Sequence, residues 1–264
     1  MNRITERFNA LKASGKTAFI AYITGGDPSL DATAEVVLAL ERAGCDIVEF
    51  GVPFSDPVGD GVVIQEAAQR ALADGATLPK ILNTIAKIRA TSQVPLLLFS
   101  YFNPLLAYGL ERFAGEAAAA GVDGVLCVDL PPEEAETYKA ALDQHALCTV
   151  FLAAPTTPDA RLELIAKQCT GFLYYISRLG VTGERAELSD TLAQEVARVK
   201  ALSPVPVAVG FGISTPDQAR NVAGMADGVV VGSALVRLIA AQSGAADMPK
   251  QIETFARSLA EAVK

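Results

Sequence analysis

Apolar positions along the chain follow two alternating rhythms. Runs with almost no polar interruption occupy residues 18–23, 46–50, 94–99, 125–128, 149–153, 172–176, 205–209 and 228–231. These eight runs are continuously apolar rather than alternating, so they read as strands buried on both faces, as in a parallel sheet. Between them, apolar residues recur every three or four positions, the spacing of one helix face. Residues 31–43 align Val36, Val37, Leu40 and Ala43. Residues 77–89 align Ile81, Leu82, Ile85 and Ile88, with Thr77 placed to cap the helix and Pro79 in its first turn. The same period predicts helices over 111–120, 132–144, 159–167, 189–201, 216–223 and 249–263, and one more over 2–12, before the first strand.

Three junctions repeat one grammar: Ala43-Gly44-Cys45-Asp46-Ile47-Val48, Ala120-Gly121-Val122-Asp123-Gly124-Val125 and Met225-Ala226-Asp227-Gly228-Val229-Val230. In each a helix ends, a short turn with Gly or Asp follows, and a Val/Ile strand begins, as an αβ loop requires. No linker, low-complexity tract or shift in composition divides the chain. Eight strand–helix units in residues 1–264 therefore predict a single domain of the α/β class, a (β/α)8 TIM barrel with an extra N-terminal helix. An open doubly wound sheet is the alternative. Its usual Gly-rich fingerprint is absent, since Gly25-Gly26-Asp27-Pro28 follows the first strand.

Composition narrows the function. With 51% hydrophobic and 20% charged residues the 264-residue chain is a folding sequence, and its net charge of −8 disfavours a nucleic-acid surface. Small anionic substrates stay open, because a local site on an acidic protein can be positive. Cys45, Cys127, Cys148 and Cys169 lack CxxC spacing and read as buried free thiols in a reducing compartment. The N-terminus is charged throughout, which is not a secretory signal, and the longest uncharged stretch, 90–110, is broken by Pro95, Asn103, Pro104 and Gly109. No membrane span is predicted and the cytoplasm is the expected location.

In such a barrel the active site lies at the C-terminal strand ends. Glu49 stands there as an anomaly: alternation places Ile47, Glu49 and Gly51 on one face of an otherwise apolar strand. Burial disfavours the ionised carboxylate, so its pKa should rise toward neutrality and suit proton transfer. A structural Glu paired with a buried Arg is the competing reading, although no Arg or Lys lies on the neighbouring runs. Asp56 and Asp60 follow in a Gly- and Pro-rich loop, where a turn-forming Asp is equally ordinary. The single histidine, His145, lies away from this rim, and without a His cluster no zinc or iron site is predicted. Gly210-Phe211-Gly212 after the seventh strand and Gly232-Ser233 opening a helix after the eighth suit a phosphate cradle. The polar stretch 177–186 suits a mobile lid.

Taken together, Glu49 with Gly51-Val52-Pro53-Phe54-Ser55-Asp56-Pro57 and Asp60-Gly61, Tyr101-Phe102-Asn103-Pro104, Ser177-Arg178 with Gly180-Val181-Thr182-Gly183, Gly210-Phe211-Gly212-Ile213 and Val231-Gly232-Ser233-Ala234 resemble the α subunits of tryptophan synthase. The resemblance runs the length of the chain. It implies a carbon–carbon lyase of tryptophan biosynthesis that splits indole-3-glycerol phosphate by a retro-aldol step into indole and glyceraldehyde 3-phosphate. Glu49 would protonate indole C3 and take the proton of the glycerol hydroxyl, while Asp60 would hold the indole N–H. Tyr174 and Tyr101 match positions near Glu49 and the indole, and Tyr22 and Phe211 match apolar packing around the ring. Gly183, Gly212, Gly232 and Ser233 match the phosphate cradle, and Thr182 the lid residue that meets Asp60 on closure. The resemblance further implies no metal and no cofactor of its own. It implies a β subunit carrying pyridoxal phosphate that receives the indole, in a hetero-oligomer, an α2β2 tetramer. Two residues depart from the family pattern: Gly59 stands where Ala is usual and Val62 where Pro is usual, which bears on loop stiffness. A sugar-phosphate epimerase or isomerase, and a barrel that only activates a partner, are the other readings the residues leave open.

Overall fold

A computed structural model describes residues 2–177, 185–210 and 212–264, with backbone only for 185–190. Its eight strands are β1 (Ala18–Thr24), β2 (Ile47–Gly51), β3 (Leu96–Ser100), β4 (Gly124–Cys127), β5 (Cys148–Ala153), β6 (Leu173–Ile176), β7 (Val207–Gly210) and β8 (Gly228–Val231). They pair in parallel in chain order, and β8 pairs with β1 to close a TIM barrel. All eight predicted runs are strands, displaced by at most two residues at either end.

The described helices are α1 (Arg3–Ala13), α2 (Leu30–Arg42), α3 (Val62–Ala73), α4 (Leu78–Arg89), α5 (Phe102–Tyr108), α6 (Leu110–Ala120), α7 (Glu136–Asp143), α8 (Asp159–Gln168), α9 (Arg185–Leu202), α10 (Pro216–Ala223), α11 (Ser233–Ala241) and α12 (Met248–Val263). Two of them were not anticipated. The buried face of α3 is Ala67, Ala68 and Ala71, too small a stripe to stand out as a hydrophobic period. In α5, Asn103 and Pro104 read as loop residues, yet both fall in the first turn, where a missing N–H costs nothing. The helix predicted over 132–144 is interrupted: a 3-10 turn, Pro132–Glu134, precedes α7. Thr77 does hold the N-cap position of α4, but its side chain makes no capping bond.

Strand alternation sorts the core into two layers. Phe19, Ala21, Ile23, Val48, Phe50, Leu96 and Leu98 point outward and pack under the helices. Ile20, Ile47, Leu97, Leu126, Val150, Phe172 and Val230 fill the interior. The same interior cluster contains Ile4, Phe8 and Leu11 of α1, and the Phe8 and Phe172 rings lie 5.5 Å apart. The extra N-terminal helix is thus a plug for one end of the barrel. Each such side chain contributes about 1.5–3 kcal/mol on burial.

The repeated junction grammar has a second purpose beyond turning the chain. Asp46, Asp123 and Asp227 each accept a backbone N–H from the preceding strand, those of Phe19 at 2.8 Å, Leu96 at 2.8 Å and Val207 at 2.9 Å. Three strand pairs are therefore pinned at their N-terminal ends, the end remote from the predicted chemistry. Asp123 is pinned hardest, between Arg89 at 2.7 Å and Arg3 at 2.8 Å. His145 lies beyond α7 on this same side and is exposed. The four cysteines are free and buried. Among the described residues no helix is long and apolar enough to cross a membrane.

Candidate active site

At the opposite end the interior layer opens into a cavity of about 310 Å³. Its wall is formed by the uppermost inward residues of the strands: Tyr22 of β1, Glu49 of β2, Phe99 of β3, Val128 beyond β4, Leu152 of β5, Tyr174 and Ile176 of β6 and Val230 of β8. The pairing register sets Tyr22 and Leu97 directly beside Glu49 on the two neighbouring strands. Alternation then carries Glu49 to the cavity floor, one layer above Ile47.

Glu49 is fully buried, and neither carboxyl oxygen has a hydrogen-bond partner among the described residues. Burial alone pushes its pKa up to about 8. An unpaired buried carboxylate is costly, so the protonated acid is the stable form at neutral pH. Among the described residues no cation touches it, which speaks against the competing reading of an ion-paired structural Glu.

Asp60 stands in a different setting. It lines the cavity from the β2–α3 loop, half-buried, and its Oδ2 accepts a hydrogen bond from the Tyr101 hydroxyl at 3.0 Å. Burial raises its pKa, and the Tyr101 hydrogen bond works against that rise. The same Tyr101 oxygen accepts the Gly59 N–H at 2.9 Å. From α3, the Gln65 side-chain amide donates to the Asp60 carbonyl at 2.8 Å. The loop is thus fastened on both sides of the carboxylate. Asp56, by contrast, is exposed and bonded to Ser55, outside the cavity.

Tyr101 therefore sits behind Asp60, and its ring is not among the described cavity walls. Tyr22 and Tyr174 do face the cavity, and both hydroxyls are held above their ordinary pKa, chiefly by burial. Room for them comes from two glycines. A Cβ on Gly51 would stand 2.3 Å from the Tyr22 hydroxyl oxygen, and one on Gly210 would stand 2.3 Å from that of Tyr174. Gly210, which the sequence suggested for a phosphate loop, thus serves the tyrosine.

Gly212, Gly232 and Ser233 meet on the β7–β8 side of the cavity, with Ser214, Ala234 and Arg237. Gly212 has φ +82, a left-handed conformation that other residues adopt only with strain. Gly232 is the N-cap of α11, so the free N–H groups of that helix open beside the cavity. Thr182, Gly183 and Phe211, and the expected lid apart from Ser177, Arg185 and Ala186, lie outside the described residues. The sequence reading missed the apolar walls Phe99, Val128, Leu152 and Ile176. Their strands are apolar on both faces, so the sequence alone did not show which residues turn inward. Arg237 was missed as well.

The arrangement is a small apolar chamber with one neutral acid, one fastened carboxylate and an anion-favouring helix end. Known proteins share this fold and sequence. A sequence profile of the family described as Tryptophan synthase alpha chain matches residues 8–264. The tryptophan synthase alpha chain of Geobacter sulfurreducens is 51% identical over 263 residues, covering 100% of this chain and 99% of the relative. That of Laribacter hongkongensis is 46% identical, covering 100% and 98%. The crystal structure of tryptophan synthase subunit alpha from Legionella pneumophila str. Paris superposes with a TM-score of 0.93 at 38% identity, covering 100% of this chain and 98% of that one. Family profile, relatives and fold agree, and the chain belongs to the tryptophan synthase alpha chains.

Proposed function

We propose that Glu49 and Asp60 carry the reaction of this family, a lyase that cleaves indole-3-glycerol phosphate to indole and glyceraldehyde 3-phosphate. Glu49 begins as the neutral acid and delivers its proton to indole C3, giving a cationic indolenine. The carboxylate so formed removes the proton of the glycerol hydroxyl beside the breaking bond. That O–H electron pair becomes the aldehyde carbonyl, the carbon–carbon bond breaks, and its electrons neutralise the indolenine. Glu49 ends protonated, as it began. Asp60 accepts the indole N–H and stabilises the positive charge that the first step creates, which requires it to be anionic while Glu49 is neutral. Two carboxyl groups in unlike settings meet this need.

Tyr22, Phe99, Leu152 and Tyr174 supply the apolar faces for the indole, and Tyr101 orients Asp60. Gly212, Gly232 and Ser233 receive the phosphoryl group at the start of α11. Phe211 adds to the apolar packing around the ring, Gly183 completes the cradle and Thr182 the lid. Residues 1–264 form one domain in this reading. It needs no cofactor in this chain: pyridoxal phosphate belongs to a β subunit, with which the chain assembles as an α2β2 tetramer in the cytoplasm, handing over the indole.

The observation that carries the assignment is the buried, partnerless carboxyl of Glu49 on the cavity floor. Glu49→Gln keeps the shape and removes the exchangeable proton. Glyceraldehyde 3-phosphate release should fall by at least ~10³-fold, as for loss of a positioned acid–base group. Inhibition by inorganic phosphate should be retained. Substantial turnover in this variant refutes the role of Glu49. Adding the β subunit to the wild type should raise the rate if the partner reading holds.

A further inference from the structure

We infer that Arg237 is the cation that selects a phosphorylated substrate over a neutral one. This deepens the phosphoryl-binding reading above and rests on it.

Besides the two tyrosines, three ionisable side chains among the described residues line the cavity: Glu49, Asp60 and Arg237. Two are acids, and Arg237 is the only cation among the described residues that line the cavity. It has no hydrogen-bond or ion-pair partner among the described residues, whereas most arginines of this acidic chain are paired. Its position on α11 explains how it reaches the mouth. Ser233 begins the helix, and Arg237 follows four residues later, on the same face and one turn down. Long helical side chains lean back toward the N-terminus, so the guanidinium is carried toward Gly232 and Ser233.

Charge makes the group necessary. A phosphate monoester carries close to two negative charges at neutral pH. Asp60 must stay anionic for the chemistry, so substrate would add a dianion to a cavity that already holds a carboxylate. Backbone N–H groups and the helix end contribute only partial charge. Arg237 contributes a full one, with a planar fork suited to phosphoryl oxygens. Its solvent exposure makes it an anchor for binding and leaves the proton transfers to the acids on the floor.

The experiment uses the full chain with its β subunit and the variants Arg237→Gln and Arg237→Lys. For Arg237→Gln, KM for indole-3-glycerol phosphate should rise on the order of tenfold with kcat changed by less than about twofold, the pattern for lost uniform binding. Inhibition by inorganic phosphate should weaken to the same extent. Inhibition by indole, which lacks the phosphoryl group, should be unchanged. Arg237→Lys should recover most of the loss. Wild-type KM and wild-type phosphate inhibition in Arg237→Gln would overturn the role of Arg237 alone. Failure of inorganic phosphate to inhibit the wild type would instead overturn the phosphoryl site, and this inference with it.

Discussion

A single side chain concentrates the conflict between folding and chemistry. Glu49 is buried with no partner among the described residues, and its pKa in the folded chain lies near 8 against an ordinary value of 4.5. Below about pH 4.5 the carboxyl is protonated in both folded and unfolded chains and costs nothing. Between pH 4.5 and 8 the unfolded chain releases the proton and the folded one keeps it, so this residue lowers stability as pH rises. The cost reaches the order of 3–5 kcal/mol at the alkaline end. Glu49→Gln lacks it. Its gain in unfolding free energy over the wild type should be small near pH 5 and several kcal/mol at pH 8.5, measured by denaturant titration at both. An equal gain at both pH values would mean that Glu49 does not stay protonated in the fold. Gly59 shows a conflict of space. A Cβ there would lie 3.1 Å from Val128 and 3.2 Å from the Tyr101 hydroxyl oxygen, so an alanine at this position would press on the group that orients Asp60.

Among the elements, α3 and the loop before it hold Asp60 in place, and α3 begins at Val62, two-thirds exposed. Gly61 before it has φ −74 and ψ 160, the extended conformation that a following proline demands. Position 62 is the first of the helix, where proline is favoured. Val62→Pro should therefore stabilise the chain by about 0.4–1 kcal/mol, chiefly by restricting the unfolded state. Thermal unfolding checks this: a lower Tm would show that the loop needs the freedom that valine leaves it. The α3 stripe of alanines and the brief, proline-containing α5 show how helices near the active site evade periodicity. Their apolar faces are small or brief, and they form because the barrel rim gives them a surface to lie on.

Across the whole molecule, stability and chemistry occupy opposite ends of one cylinder. At the N-terminal strand ends, α1 plugs the interior and Asp46, Asp123 and Asp227 pin strand pairs; at the C-terminal ends the interior layer stops filling itself and leaves a chamber. Asp123→Ala should cost about 3–5 kcal/mol, because it strands the nearly buried Arg89 and frees the Leu96 N–H. Well below its Tm the variant should keep its kcat, since nothing it touches reaches the cavity. A proportionate loss of kcat in fully folded protein would deny that separation. The number, order and type of the strands were legible in sequence, because a strand buried on both faces must be apolar throughout. Glu49 was legible for the same reason, as a charge written into such a strand, and Gly59, Asp60 and the glycine loops were legible as motifs. Only the closed barrel decided which tyrosines face the chamber, that Gly51 and Gly210 make room for their hydroxyls, that Tyr101 stands behind Asp60, and that an arginine one turn into α11 borders the site. Those facts depend on contacts between residues far apart in the chain, which acquire a common neighbourhood only when β8 meets β1.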